Sequence, residues 1–419
     1  MRRTTVVPLA LVAGLLLGAC GQGGPSAGGG KITDGKIVLA VLNDQSGVYA
    51  ELSGKNSVEA VKMAVEDFKK KYGDKAVTKD IEVVSADHQN KPEIANTKAQ
   101  ELYERQKADV ILDVPTSSAA LAVATQAKAH KRLHINITAG STALTNAQCN
   151  KYTFHYAYDT YMLANGTGSR VTESGKKNWY IVYPDYAFGQ DMNKSFSAAV
   201  KRAGGNVVKS DPAPFPNDNF STYMLKAPTL SPKPDILGAM QAGGDLVNIA
   251  KQYNEFKLKD KGIQLAVGLM FDSDIKSIGA DKLKGTLFTT AWFWNMDAQS
   301  RAWADRFKAR TGVRPTFAHA GNYSAAMQYL EAVQRAGTDN SDKVVSQLEG
   351  RDINDFFLRH GHVRKEDHRV IHDAYLVRVK DPAKATEPDD LSELVETIPA
   401  DKAFKPLSES TCKMAQSSS

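Results

Sequence analysis

The succession of hydrophobic patterns constrains this chain most: short apolar runs alternate with helical periodicity, and the alternation occurs twice. Ile37-Val38-Leu39-Ala40-Val41-Leu42 is a continuous apolar run, the pattern of a strand covered on both faces. Apolar residues then recur at Val58, Val61, Ala64, Val65 and Phe68, which is helical spacing. A strand at Ile81–Ala86 follows, then a helix from about Asn90 with Pro92 in its first turn. A strand at Asp109–Asp113, a helix over Ser117–Lys128 and a strand at Leu133–Ile137 complete the first unit. Such alternation specifies a parallel sheet wrapped by helices.

The pattern breaks at Tyr152–Tyr161, a stretch dense in aromatics, and then restarts. A helix near Met162–Ser174 leads to a strand at Trp179–Tyr183, a helix at Gln190–Ala203 and a strand at Asn206–Lys209. Strands at Asp235–Met240 and Gln264–Val267 flank a helix at Asp245–Phe256. A chain of 419 residues exceeds what one core serves. The expected fold class is therefore α/β, with two doubly wound parallel-sheet lobes. Trp292–Leu348 reads as mostly helical. Phe356–Val363 and Val370–Val379 read as two strands joined by a charged turn.

The amino terminus carries Arg2 and Arg3, an apolar centre from Val6 to Leu17, and a Gly-rich exit from Gly21 to Gly30. This is the layout of a secretory signal. It is far shorter than the ~20 apolar residues of a membrane span. Leu17-Gly18-Ala19-Cys20 resembles the lipobox of bacterial lipoproteins. That resemblance implies a diacylglycerol on Cys20 and cleavage just before it, with the membrane a partner through the lipid anchor. The chain has three cysteines, Cys20, Cys149 and Cys412. With Cys20 lipidated, the other two form an even pair in an oxidising compartment, so a Cys149–Cys412 disulfide is expected. A formal net charge of +6 is small for this length and its basic residues are scattered, which argues against a nucleic-acid partner.

Ligands of open α/β sheets sit beyond the carboxyl ends of the strands. There the first unit carries Asn43–Tyr49, Pro115-Thr116-Ser117-Ser118 and Thr138-Ala139-Gly140-Ser141-Thr142. Hydroxyls and free N–H groups at a helix start suit an anion, or else serve as helix caps. The second unit offers Tyr183–Gly189, Gln241–Asp245 and Gly268–Asp274, with aromatic walls and carboxylates. His360, His362, His368 and His372 fall on and beside the expected hairpin, where alternate residues face opposite ways, and no metal site is expected. Gly166-Thr167-Gly168 lacks the third glycine of a dinucleotide motif, and no nucleophile elbow or His-Glu-x-x-His run occurs. No cofactor, catalytic residue or enzymatic activity is expected.

At these loops the chain resembles the leucine-binding-protein family, the type I solute-binding components of bacterial ABC importers, from about Lys36 to Lys380. The resemblance rests on Ser46-Gly47-Val48-Tyr49, Thr116-Ser117-Ser118, Ala139-Gly140-Ser141, Asp185-Tyr186-Ala187-Phe188-Gly189 and Asn322-Tyr323. It implies two lobes joined by three crossings that close on a small carboxylate solute. Ser117, Ser118, Ala139, Gly140 and Ser141, with Thr116 beside them, would hold the carboxylate. Tyr49, Tyr186 and Phe188 would line the cleft, and Asp245 or Asp272 would face it from the opposing lobe. Tyr156–Asn165 is more aromatic than in the amino-acid binders and resembles members that take up aromatic carboxylates. Tyr158 is a candidate wall of an aromatic slot, and Asp159 a candidate partner for an ammonium group.

The implied division is a leader at 1–19, a tether at 20–35, a first lobe at 36–157 plus 290–350, a second at 158–289 plus 351–382, and a tail at 383–419. Crossings are expected near Ala157-Tyr158, Thr289-Thr290 and Gly350-Arg351. The implied function is extracytoplasmic capture of an amino acid or related aromatic carboxylate for an importer permease by a monomeric, periplasmic protein. The alternative is a ligand sensor of the same fold acting on a signalling partner.

Overall fold

The computed structural model describes residues 32–416; Cys20 and the rest of the leader lie outside the described residues. Strands β1 (Ile37–Asn43), β2 (Ile81–Asp87), β3 (Val110–Asp113), β4 (Leu133–Asn136) and β5 (Thr153–His155) form a parallel sheet in the order β2-β1-β3-β4-β5. Helices α1 (Gly54–Tyr72), α2 (Pro92–Glu104) and α3 (Ser117–His130) make its crossovers. Every residue of β1 is buried, as a central strand covered on both faces requires. Pro92 opens α2, where its missing N–H costs no helical bond.

The helix expected at 162–174 forms in three pieces: α4 (Thr160–Leu163), a π turn at Ala164–Gly168 and α5 (Ser169–Glu173). Strands β6 (Asn178–Pro184), β7 (Asn206–Ala213), β8 (Ile236–Ala239) and β9 (Gln264–Val267) form a second parallel sheet, ordered β7-β6-β8-β9. Around it lie α6 (Ala187–Arg202), α7 (Ser221–Lys226), α8 (Gly243–Glu255), α9 (Asp272–Ile278) and α10 (Ala280–Leu283). The first four strands of both lobes thus share one order, second-first-third-fourth, which places a topological switch beside the first strand of each.

After β10 (Leu287–Thr290) the chain returns to the first lobe through α11 (Ala298–Thr311), α12 (Phe317–Ala336) and α13 (Ser341–Leu348). Short strands β11 (Asp352–Ile353), β12 (Gly361–Val363) and β13 (Val370–Ile371) make a small antiparallel sheet. A bridge between His155 and Arg369 ties this segment to β5. The third passage between lobes, expected at 350–351, therefore falls at His372–Asp373. Strand β14 (Ala374–Val379) then pairs with β10, and β15 (Ser392–Ile398) pairs with β14. The expected hairpin forms as β12 with β13, Val363 opposite Val370, but its second run continues past β13 into β14, so the two halves of that run lie in different sheets. They part where the His372 ring faces the carbonyls of Asp373 at 2.7 Å and Ala157 at 2.5 Å. The expected Cys149–Cys412 disulfide is present, with Cα atoms 5.6 Å apart. Among the described residues no helix is long and apolar enough to cross a membrane.

Candidate functional site

The carboxyl edges of the two sheets meet across a cleft. Tyr49, Leu52, Pro115 and Thr138 line it from the first lobe, Tyr158 from the first passage, and Tyr186, Phe188, Ala242, Leu269 and Phe271 from the second lobe. The room left among them is about 10 Å³, that of a single water. A solute enters only when these walls part.

On the first lobe, one carboxylate organises the jaw. Asp44, fully buried just beyond β1, accepts the backbone N–H groups of Gly47 at 2.7 Å and Tyr49 at 2.9 Å. It also accepts from the Asn90 amide, whose oxygen takes the Thr116 hydroxyl. The loops after β1, β2 and β3 are thereby joined into one unit. Thr116, named for the anion cradle, is spent on this network and gives α3 no side-chain cap.

The turn that delivers Thr116, Ser117 and Ser118 is strained. Asp113 and Val114 both have positive φ, 81° and 59°, and Val114 is β-branched, for which this region is costly. Asn136 holds the turn by donating to the carbonyls of Asp113 at 2.9 Å and Val114 at 3.1 Å. Strain of this kind gathers at ligand clamps. Burial pushes the Asp113 carboxyl up against the pull of its donors Ser53, Thr138 and Asn43. The Ser117 hydroxyl accepts the Ser141 N–H at 3.2 Å, and the Ser141 hydroxyl caps Ala143 at 3.3 Å. Ser118 is half-buried. The carbonyl of Ala139 takes His155 at 2.6 Å, and that of Gly140 takes the Thr160 N–H at 2.9 Å. A Cβ on Gly140 would lie 3.0 Å from both Phe188 and Tyr158, so these two rings close directly over the cradle.

The second lobe supplies the opposing wall. The Tyr186 and Tyr49 hydroxyls lie 2.6 Å apart. Phe215, which the sequence reading missed, packs 4.4 Å from Tyr186 and 5.6 Å from Tyr49. Its signal was its place in the Pro-flanked loop after β7, at a strand's carboxyl end. Asp245 lies in the first turn of α8, near enough to act electrostatically on both tyrosines. It accepts the Asn217 N–H at 3.0 Å, and burial pushes it up to about 7. Asp272 is not in this group. It lines a separate inter-lobe space of about 240 Å³ with Glu51, Lys276, Arg314, His319 and Asp389, and burial raises it to about 7.

Two further contacts join the lobes. The Gly244 N–H at the start of α8 donates to the Val48 carbonyl at 3.0 Å. Asp191 on α6 accepts the Thr142 N–H at 2.7 Å and the Thr160 hydroxyl at 2.7 Å.

The first passage holds Tyr158 and Asp159. The Tyr158 hydroxyl donates to the Thr138 carbonyl at 2.6 Å. Asp159 caps α4 at Met162 and pairs with Arg369, Nε to Oδ2 3.0 Å, so its carboxylate is engaged away from the cleft. Burial pushes Arg369 down to about 10 and Asp159 up, each against its partner's pull.

The histidines singled out in the sequence are dispersed. His360 pairs with Asp373, His362 with Asp352 and His368 with Glu349. Among the described residues no three metal-binding side chains form a group. Two further aromatics beyond β10 pack into the body of the protein: Trp292 on Trp303 and Phe356, and Phe293 on Tyr375. All four tryptophans are buried and none lines the cleft.

The family model described as periplasmic binding protein matches residues 36–386. A periplasmic binding protein from Burkholderia mallei is 42% identical, with 91% of this chain and all of that one covered at a TM-score of 0.87. A branched chain amino acid ABC transporter periplasmic ligand-binding protein from Burkholderia xenovorans is 35% identical, with 90% and 100% covered and a TM-score of 0.80. A solute binding protein of an ABC transporter from R. palustris, in complex with benzoate, shares the fold at 22% identity, covering 90% and 100% at a TM-score of 0.76. No curated protein sequence matches.

Proposed function

The chain belongs to the periplasmic binding protein family, and from that premise we propose that it captures a small carboxylate solute outside the cytoplasm and presents it to an ABC importer permease. The solute class is an amino acid of hydrophobic type or a related aromatic carboxylate. The observation that carries this reading is the paired wall: one jaw bears hydroxyls and helix-start N–H groups, the other bears aromatic rings and Asp245. The likeness to the B. xenovorans branched chain amino acid protein supports the amino-acid member of the class.

In this reading Ser117, Ser118 and Ser141, with the backbone at Ala139 and Gly140, take the solute carboxylate. Tyr49, Tyr158, Tyr186, Phe188 and Phe215 pack on its side chain. An amino acid's ammonium group goes to Asp245. The protein works as a monomer, held on the membrane by lipid at Cys20, and releases its solute unchanged. Closure brings both lobes into one surface for the permease, because contacts made only in the closed form shift the balance toward it.

The test is a thermal-shift screen of leucine, isoleucine, valine and phenylalanine against benzoate and 4-hydroxybenzoate, followed by calorimetry. A solute that binds only the folded state raises its melting temperature. A Ser118→Ala, Ser141→Ala double change is expected to weaken the solute found by an order of magnitude or more, since bonds to a charged group contribute about 1.5–3 kcal/mol each. No stabilisation by any of the six, or turnover of a bound one, would overturn the proposal.

A further inference from the structure

The segment after β15 leaves the second lobe, runs across the passages and ends bonded to the first lobe. β15 is fixed to the second lobe by its pairing with β14, from Ser392 opposite Val379 to Ile398 opposite Ala374. Just beyond it the Ala400 N–H donates to Asp373 at 3.2 Å, and Asn165 of the π turn donates to the Lys402 carbonyl at 2.5 Å. Phe404 then sits over the passages themselves. Its buried ring lies 4.2 Å from the Arg369 guanidinium and 5.0 Å from the His372 ring. Past this point hydrogen bonds and the disulfide run to the first lobe or to the strands joined to it, while Glu409 acts electrostatically on Tyr161 of α4. Arg364 donates to the Lys405 carbonyl at 2.8 Å, Thr411 donates to Asn146 at 3.3 Å, and Cys412 is bonded to Cys149.

We propose that residues 399–412 form a fourth connection between the lobes, a strap whose disulfide restrains their separation and biases the protein toward its closed form. The three passages fix the hinge along the chain; the strap closes a loop over them that no passage supplies. Its contacts divide at Phe404: Asp373 and Asn165 on one side, Arg364, Asn146 and Cys149 on the other. Rotation of the lobes must break one set or drag Phe404 from Arg369. Without the bridge the far end is held mainly by partly exposed hydrogen bonds that water readily replaces. With it, Phe404 stays at high effective concentration over Arg369 even after those bonds open. The strap therefore favours the geometry in which both sets are made, and only such differential contacts shift an open–closed balance.

The experiment measures the distance between spin labels carried by unnatural amino acids at exposed Glu93 on α2 and Lys251 on α8, in the full chain without added solute. Three samples are compared: the oxidised protein, the same folded protein after reduction, and Cys149→Ser/Cys412→Ser. The expected result is a longer mean distance and a broader distribution in the last two, with the open population raised about twofold or more. Superimposable distributions from all three, with unchanged circular dichroism, would overturn the proposal and leave the bridge as a pin for the tail. Should loss of the bridge unfold the chain, Phe404→Ala with the bridge intact decides in the same way. The measurement uses no solute, so its failure leaves the proposed function untouched.

Discussion

The hydroxyls of Tyr49 and Tyr186, 137 residues apart in sequence, meet at 2.6 Å across the two lobes. Burial raises both phenols, so the pair is neutral and one hydroxyl donates to the other. The contact exists only while the lobes are together. Tyr49→Phe or Tyr186→Phe leaves one buried hydroxyl without its partner, at a cost of about 1–3 kcal/mol. Each single change is expected to weaken solute binding about tenfold, and the double change to be no worse than the singles, as coupled neighbours behave. Calorimetry on the four proteins checks this.

Gly243 sets how closely the lobes approach. It has φ +55°, and a Cβ there would lie 2.3 Å from the Val48 carbonyl of the opposing lobe. That clash arises only on closure. Gly243→Ala is expected to leave the secondary structure intact, to hold the lobes apart and to weaken solute binding at least about tenfold, or 1.4 kcal/mol. Small-angle scattering should show no contraction with saturating solute.

Asp245 makes binding depend on pH, and the sign identifies the solute. Its carboxyl is raised from 3.8 to about 7 by burial. Folding therefore retains a proton between these values. The resulting stability is complete below about pH 3.8 and is lost as pH rises through about 7. The carboxylate formed above pH 7 attracts an ammonium group and repels an anion. An amino acid should bind more tightly as pH rises through 7, and an aromatic acid lacking an amine less tightly. Asp245→Asn should flatten either profile. Calorimetry from pH 6 to pH 8 in buffers of equal ionic strength provides the measurement.

Lipid attachment at Cys20 makes a separate claim. Mass spectrometry of the membrane fraction is expected to give an amino-terminal Cys20 carrying diacylglycerol. Cys20→Ser should move the protein out of that fraction. An unmodified terminus at another residue counts against the anchor.

Both parallel sheets were legible because β1, β3 and β6 are largely buried and read as apolar runs, while in β4 Leu133 and Ile135 alternate with the buried polar His134 and Asn136. Cys149 and Cys412 were legible by counting. β15 was not, since Ser392-Glu393-Leu394-Val395-Glu396 mixes charge with exposed apolar side chains, as an edge strand does. The third passage was misplaced because a strand's partner depends on contacts far away in sequence, here His155 with Arg369. Of the cleft lining, Tyr49, Tyr186 and Phe188 stand in loops at strand ends and, with Tyr158 of the aromatic stretch, were singled out by the family resemblance. Asp272 follows a strand just as Asp245 follows one, yet it turns into the neighbouring space. Position after a strand gives the edge of a sheet but not the direction of a side chain.

The walls of the cleft are tyrosine and phenylalanine, while all four tryptophans are enclosed within the body of the protein. Tryptophan emission therefore reports on the integrity of the interiors and not on the space between the lobes. Unfolding can be followed by that emission in an unlabelled sample, with no indole placed where the solute would sit.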